Sequence, residues 1–169
     1  MPPWTTMQEL VTGDLVTESD MAALRENITY LLDPNRAEAL VSGGNYTTTS
    51  LAFVDVDSTN LSLTLETHGG PVLVLFSGNV YASSTAYRVR FDVAVDGTRY
   101  SGAALGLLQQ GDLGGAADSA RPVSFAVLVG NLAPGTHTFT LQWAVASGCT
   151  VSLVAHPVYS PVMFTAVEV

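Results

Sequence analysis

The sequence has 169 residues, of which 12% are charged; its net charge is −9, with six arginines and no lysine. That length predicts one domain with room for a short appended arm. An acidic surface repels phosphates, which argues against nucleic-acid binding and against anionic membranes, and no apolar run approaches the ~18 residues of a membrane span. Mean hydropathy is nevertheless +0.32, so the apolar excess is expected in a large core and in subunit interfaces.

Residues 1–16 read as irregular, with Pro2, Pro3 and Gly13 as breakers. They show neither a basic n-region nor an apolar h-region, so no signal peptide is expected. The sequons at Asn27, Asn45 and Asn60 are then read as chance. Trp4 is unusual in such a segment and is expected to anchor the arm against a neighbouring surface.

From about Glu18 to Leu32 the period is helical. Thr17 or Ser19 can act as N-cap, Glu18 and Asp20 complement the dipole in the first turn, and Pro34 stops the helix. Met21, Leu24, Ile28 and Leu31 are spaced three, four, three, as in an a/d seam. Two heptads are too short for a stable isolated coiled coil. The helix either lies on its own domain or joins a small parallel bundle at a symmetry axis. Asn35 to Tyr46, with Gly43-Gly44, reads as a linker.

After Tyr46 strand follows strand. Thr47–Val56 alternates, as do Leu61, Leu63 and Leu65. Val72 to Phe76 is apolar at every position and is expected to be covered on both faces. Tyr87, Val89, Phe91, Val93 and Val95 alternate with Arg88, Arg90, Asp92 and Ala94. Asp96-Gly97 is a strong hairpin signal, and Thr98 to Ala104 returns from it. Gly106 to Arg121 reads as a long exposed loop. Pro122–Val129 and Phe139–Val145 alternate on either side of Pro134-Gly135, which predicts a β-ribbon with a long connection. Cys149–Ala155 and Val162–Val169 close the chain. Eight to ten strands with regular turn signals predict an all-β fold: an antiparallel jelly-roll sandwich over residues 46–169, behind an arm and helix at 1–45.

Two stretches carry a resemblance. Gly13-Asp-Leu-Val-Thr, followed by a helix with Arg25-Glu26-Asn27, resembles an N-terminal segment of bacteriophage and prophage structural proteins. Leu132-Ala-Pro-Gly-Thr-His-Thr-Phe-Thr-Leu-Gln-Trp143 and the closing Phe164-Thr-Ala-Val-Glu-Val169 are similar to the trimeric jelly rolls of phage fibres and virion surfaces. More loosely, the β-region is similar to the tumour-necrosis-factor-like jelly roll. The resemblance implies a homotrimeric virion surface component (a tail-fibre tip, spike or head decoration) with other virion proteins, and a host surface glycan or protein, as partners. The trimer interface would draw on Met21, Leu24, Ile28, Leu31, Leu73, Leu75 and Phe164, and particle attachment on Trp4. The arm either attaches to the particle or packs under its own sandwich.

Chemistry is sparse. The sequence contains no Gly-x-Ser-x-Gly elbow, His-Glu-x-x-His, Cys-x-x-Cys or phosphate-binding glycine loop. No catalytic residue, metal or cofactor is therefore expected. A carbohydrate-binding or carbohydrate-active jelly roll is the alternative reading. Asp112 and Asp118 bracket a glycine-rich loop too loose to preorganise glycosidase chemistry. Asp55, Asp57 and Asn60 could ligate calcium or form an Asx turn. His137 is read as closing its turn, His68 as exposed at a strand end, and His156 as facing solvent or an interface. Cys149, the single cysteine, excludes an internal disulfide; in phase with Val151 and Leu153, it is expected to be buried.

Overall fold

The structure is a computed structural model that describes residues 17–32, 35–83, 88–111, 120–130, 132–146, 149–158 and 160–169. Among these residues helix α1 (Glu18–Leu32) precedes twelve strands. These are β1 (Arg36–Val41), β2 (Gly44–Thr48), β3 (Val54–Asp55), β4 (Ser62–Thr67), β5 (Val72–Ala82), β6 (Arg88–Val95), β7 (Thr98–Arg99), β8 (Leu108–Gly111), β9 (Arg121–Val129), β10 (Gly135–Val145), β11 (Val151–Ala155) and β12 (Val162–Glu168).

Thr17 caps α1. Its Oγ1 accepts the Asp20 N–H at 3.2 Å, and the Asp20 carboxylate accepts the Thr17 N–H at 2.9 Å. This reciprocal capping box uses an Asp where Glu is commoner; the Thr17 hydroxyl, which donates to the Asp20 carboxylate at 2.5 Å, and then the Thr17 N–H hold the Asp20 carboxyl below its ordinary range.

Several strands are collinear pieces of one lane. β11 and β12 run end to end along one side of β5, Val151 facing Ala82 and Glu168 facing Val72. β1 pairs with β12 and β2 with β11, so they too form one interrupted lane. β3 and β4 share one side of β10, and β7 and β8 share one side of β6. The twelve strands thus make eight lanes. In chain order the first pairs with the eighth, the second with the seventh, the third (β5) with the sixth (β9), and the fourth with the fifth. Nested pairing of that kind is a jelly roll, with one sheet of β1/β2, β11/β12, β5 and β9 packed on another of β3/β4, β10, β6 and β7/β8.

Alternation fills the space between the sheets. Val72, Val74 and Phe76 of β5 and Phe139, Leu141 and Trp143 of β10 all point inward and are essentially unexposed. Phe91 lies 5.0 Å from Phe76 and 6.2 Å from Trp143, ring centre to ring centre. Removing a ring of this size costs about 3–5 kcal/mol. Cys149 joins the core as expected, and Asp96-Gly97 forms a two-residue hairpin with φ of 50° and 77°, the left-handed pair that a type I′ turn requires.

Four expectations need correction. β9 and β10 do not form a ribbon: β9 lies in the first sheet and β10 in the second, so the Pro134-Gly135 connection crosses the sandwich. The stretch read as a linker contains β1 and β2, whose ladders hold it to β12 and β11, so the sandwich begins at Arg36 rather than residue 46. Thr47–Val56 is not one strand, because the chain leaves the first sheet after Thr48 and enters the second at Val54. The segment read as a loop from Gly106 contains β8, paired with β6.

Candidate functional site

The two outer faces of the sandwich differ in chemistry. On the second sheet the outward row of β10 is Thr138, Thr140 and Gln142, flanked by Ser62, Thr64 and Glu66 of β4 and by Arg90 and Asp92 of β6. Its groups bond one another: Ser62 and Thr140 hydroxyls lie 2.8 Å apart, and Gln142 Nε2 donates to Asp55 at 2.8 Å. On the first sheet Leu73 lies between Leu128 and Val167, Leu75 between Ala126 and Thr165, and Met163 beside Leu40. The outward residues of β5, β9 and β12 carry no charge; Arg36 and Glu38 stand on the β1 edge. Leu40 is 66% exposed, Leu128 53% and Met163 40%. Ser77, Ser124 and Thr165 lie among them, so the face is uncharged and mainly apolar rather than continuous.

The expected interface residues separate into two groups. Leu73 and Leu75 lie on this apolar outer face and are half-buried within the single chain. Met21, Leu24 and Ile28 form an exposed seam on α1, while Ala23 and Asn27 are buried. Phe164 is a correction: its side chain faces Phe76 between the sheets with no exposure, so it belongs to the core and has no surface to offer another subunit. Trp4 and the Leu31 side chain lie outside the described residues, as do Tyr87, Asp112 and Asp118.

Charged groups gather at the end of the sandwich where the chain enters β1. Glu168 of β12 is wholly buried, with Oε1 accepting the N–H groups of His68 at 2.7 Å and Gly70 at 2.8 Å. His68 Nδ1 lies 3.0 Å from Glu168 Oε2 and 3.1 Å from Asn35 Nδ2. His68 is partly exposed, as expected, but its side chain also contacts the buried Glu168 carboxylate, which its position beside Gly69-Gly70 does not reveal. His137 bonds Asp96 and the Ala133 carbonyl, closing its turn as expected. Farther along β6, Asp92 is buried under the segment after β7, where it meets Arg99 Nε at 2.9 Å and accepts the Ser101 hydroxyl. Arg99 in turn stacks 4.3 Å over Phe53.

The acidic cluster forms an Asx turn. Asp57 Oδ1 accepts the N–H groups of Thr59 and Asn60, and Oδ2 accepts the Asn60 side-chain amide. These bonds, the Asn60 side chain foremost, hold the Asp57 carboxyl low, and burial with the Asp57 charge raises the neighbouring Tyr46 phenol. Asp55 turns instead to Gln142. The three residues do not converge on one point. Among the described residues no three His, Cys, Asp or Glu side chains gather as a ligand set. His156 is exposed, its backbone bridged to Ser160. No helix among the described residues is long and apolar enough to cross a membrane.

No protein-family model matches the chain, and no curated protein matches its sequence. Solved structures are similar in fold. Eiger TNF from S. frugiperda is 16% identical, with a TM-score of 0.49 over 81% of this chain and 94% of that one. A chain of infectious bursal disease virus, Gx strain, is 11% identical, with a TM-score of 0.42 over 80% of this chain and 36% of that one. This chain thus spans about a third of the virus protein.

Proposed function

We propose that the chain is a non-enzymatic structural component of a virus particle, of a bacteriophage by the resemblance of its N-terminal segment, and that it works as a homotrimer on the particle surface. The observation that carries the assembly is the contrast between outer faces. The second sheet presents a polar outward row in which Ser62 bonds Thr140 and Gln142 bonds Asp55, whereas Leu73, Leu75, Leu128, Met163 and Leu40 stand on an uncharged stretch of the first. Burying such a face against further copies removes apolar area from water at ~25 cal/mol per Å². The exposed α1 seam adds a second apolar stripe at the end where the arm enters.

The topology also supports a direction. The chain enters β1 beside Glu168, at the end that holds the β4–β5, β6–β7 and β9–β10 connections. The β5–β6, β8–β9 and β10–β11 connections leave from the opposite end. An arm held by the particle would turn outward the end of the sandwich where β5, β8 and β10 finish, and a host surface glycan or protein would be met there.

Mass photometry of the full chain tests the assembly, with a mass three times 17.7 kDa expected. A stable monomer at micromolar concentration removes the trimer. Immunogold labelling of purified particles tests the location; unlabelled particles that contain the rest of the virion proteins would overturn it.

A further inference from the structure

His137 lies in the inward row of β10, two residues before Phe139 and opposite Leu65 of β4. Its side chain is 13% exposed. Nδ1 is 2.7 Å from Asp96 Oδ2, and Nε2 is 2.8 Å from the backbone oxygen of Ala133. A carboxylate oxygen and a carbonyl oxygen both accept, and neither has a proton to give. A neutral imidazole has one N–H and can satisfy one of them; the imidazolium satisfies both.

The partners belong to different connections. Asp96 is the first residue of the β6–β7 turn, with φ of 50°, and its other oxygen accepts the Thr138 N–H at 2.8 Å. Ala133 belongs to the β9–β10 crossing. We propose that His137 is a proton-operated clamp: doubly protonated, it ties the β6–β7 hairpin to the β9–β10 connection, and loss of one proton releases one of its two bonds, leaving Asp96 to the Thr138 backbone and the Ala133 carbonyl to the Thr67 hydroxyl.

The surrounding charges leave Asp96 as the controlling group. Glu66 of β4, one position beyond Leu65, is on the exposed outer side of its strand. Asp92 of β6 and Arg99 of β7 engage each other. The His68–Glu168 pair is reached only across Pro134, whose ring packs on Gly69. The described residues of the β9–β10 connection carry no titratable side chain. The bond to Asp96, then that to the Ala133 carbonyl, raises the His137 pKa above its ordinary 6.5. The Thr138 N–H, then His137, lowers that of Asp96. A raised histidine pKa gives stabilisation that is complete below about 6.5 and is lost as pH climbs through the folded value. The depressed Asp96 gives stabilisation present above 3.8 and lost as pH falls through its folded value. The clamp is therefore closed below about pH 6.5 and opens as pH climbs through the raised His137 value.

Nuclear magnetic resonance of the full chain tests this, with the His137 ring signal assigned by its loss in His137→Gln. The ring is expected to be mostly doubly protonated at pH 6.5, the ordinary histidine midpoint. Protection of the Thr138 amide, taken relative to the intrinsic exchange rate at each pH, is expected to fall across the same titration. In Asp96→Asn the titration should move to lower pH by about one unit. In His137→Gln the protection should lose its dependence on pH in that range. A ring that is singly protonated at pH 6.5, a titration unmoved in Asp96→Asn, or protection that still changes with pH in His137→Gln would each overturn the clamp.

Discussion

Glu168 and Gly70 are joined by a bond from a backbone N–H to a carboxylate that has no exposure to water at all, 2.8 Å long. The same oxygen holds the His68 N–H, so one side chain fixes the turn between β4 and β5 to the end of β12. Glu168→Ala leaves two donors without their acceptor, at about 1–3 kcal/mol each. Urea unfolding should show a loss of roughly 2–6 kcal/mol. Glu168→Gln keeps an acceptor oxygen and should lose less.

Gly106 and Gly97 both have positive φ, 71° and 77°, yet they should respond differently to alanine. A Cβ on Gly106 would sit 2.4 Å from the Phe91 carbonyl oxygen and 2.9 Å from the Phe53 ring, whereas one on Gly97 meets nothing within 4 Å. Gly97→Ala carries only the left-handed backbone cost, about 1 kcal/mol. Gly106→Ala adds overpacking and should lose about 3 kcal/mol. Thermal unfolding of the two variants side by side checks the ordering.

Charge placed on the first sheet's outer face should separate subunits without unfolding them. Leu75→Glu and Leu128→Asp are expected to lower the mass measured in solution while circular dichroism stays unchanged. Thr140→Asp, on the opposite outer face, should leave the mass alone. Phe164→Asp behaves differently again, because it buries a carboxylate in the core and should prevent folding. Dissociation to a folded monomer by Phe164→Asp would contradict its placement between the sheets.

Two truncations distinguish the arm from the sandwich. Removing residues 1–34 leaves every ladder in place, and the remaining domain should fold. Removing residues 1–42 also takes away β1 and bares the edge of β12. That variant should be less stable and prone to edge-to-edge aggregation, which size-exclusion chromatography would report.

The alternating rows were legible because their residues are large. Val89, Phe91 and Val93 on β6 and Phe139, Leu141 and Trp143 on β10 could be assigned to the core from period two alone. β1 was not, because its inward residues are Ala37, Ala39 and Val41 and the Gly43-Gly44 pair that follows imitates a hinge. Asp92 and Ala94 were expected outside, and they are on the outer side of β6. They are buried there because the segment after β7 folds over them, and periodicity says nothing about a covering loop. The apolar outer face was only half legible: Leu73 and Leu75 stood out within an unbroken apolar run, but Leu128, Met163 and Leu40 join them only through cross-strand register. The partners of the Glu168 and Asp96 carboxylates gave no signal, since each is matched to groups between 40 and 100 residues away.

The two interrupted lanes of the first sheet break at the same level. Val41 faces Val162 and Gly44 faces Ala155, so the gap between β1 and β2 lies beside the excursion from His156 to Ser160. No ladder bond of the four strands crosses that level, while β5 and β9 run past it unbroken. Extra sequence placed after Val158, which is 72% exposed, would therefore lengthen an excursion that is closed at its base by the His156–Ser160 backbone bonds and lies outside the strand ladders. A peptide inserted there would be carried on the flank of the domain, leaving both ends of the sandwich free.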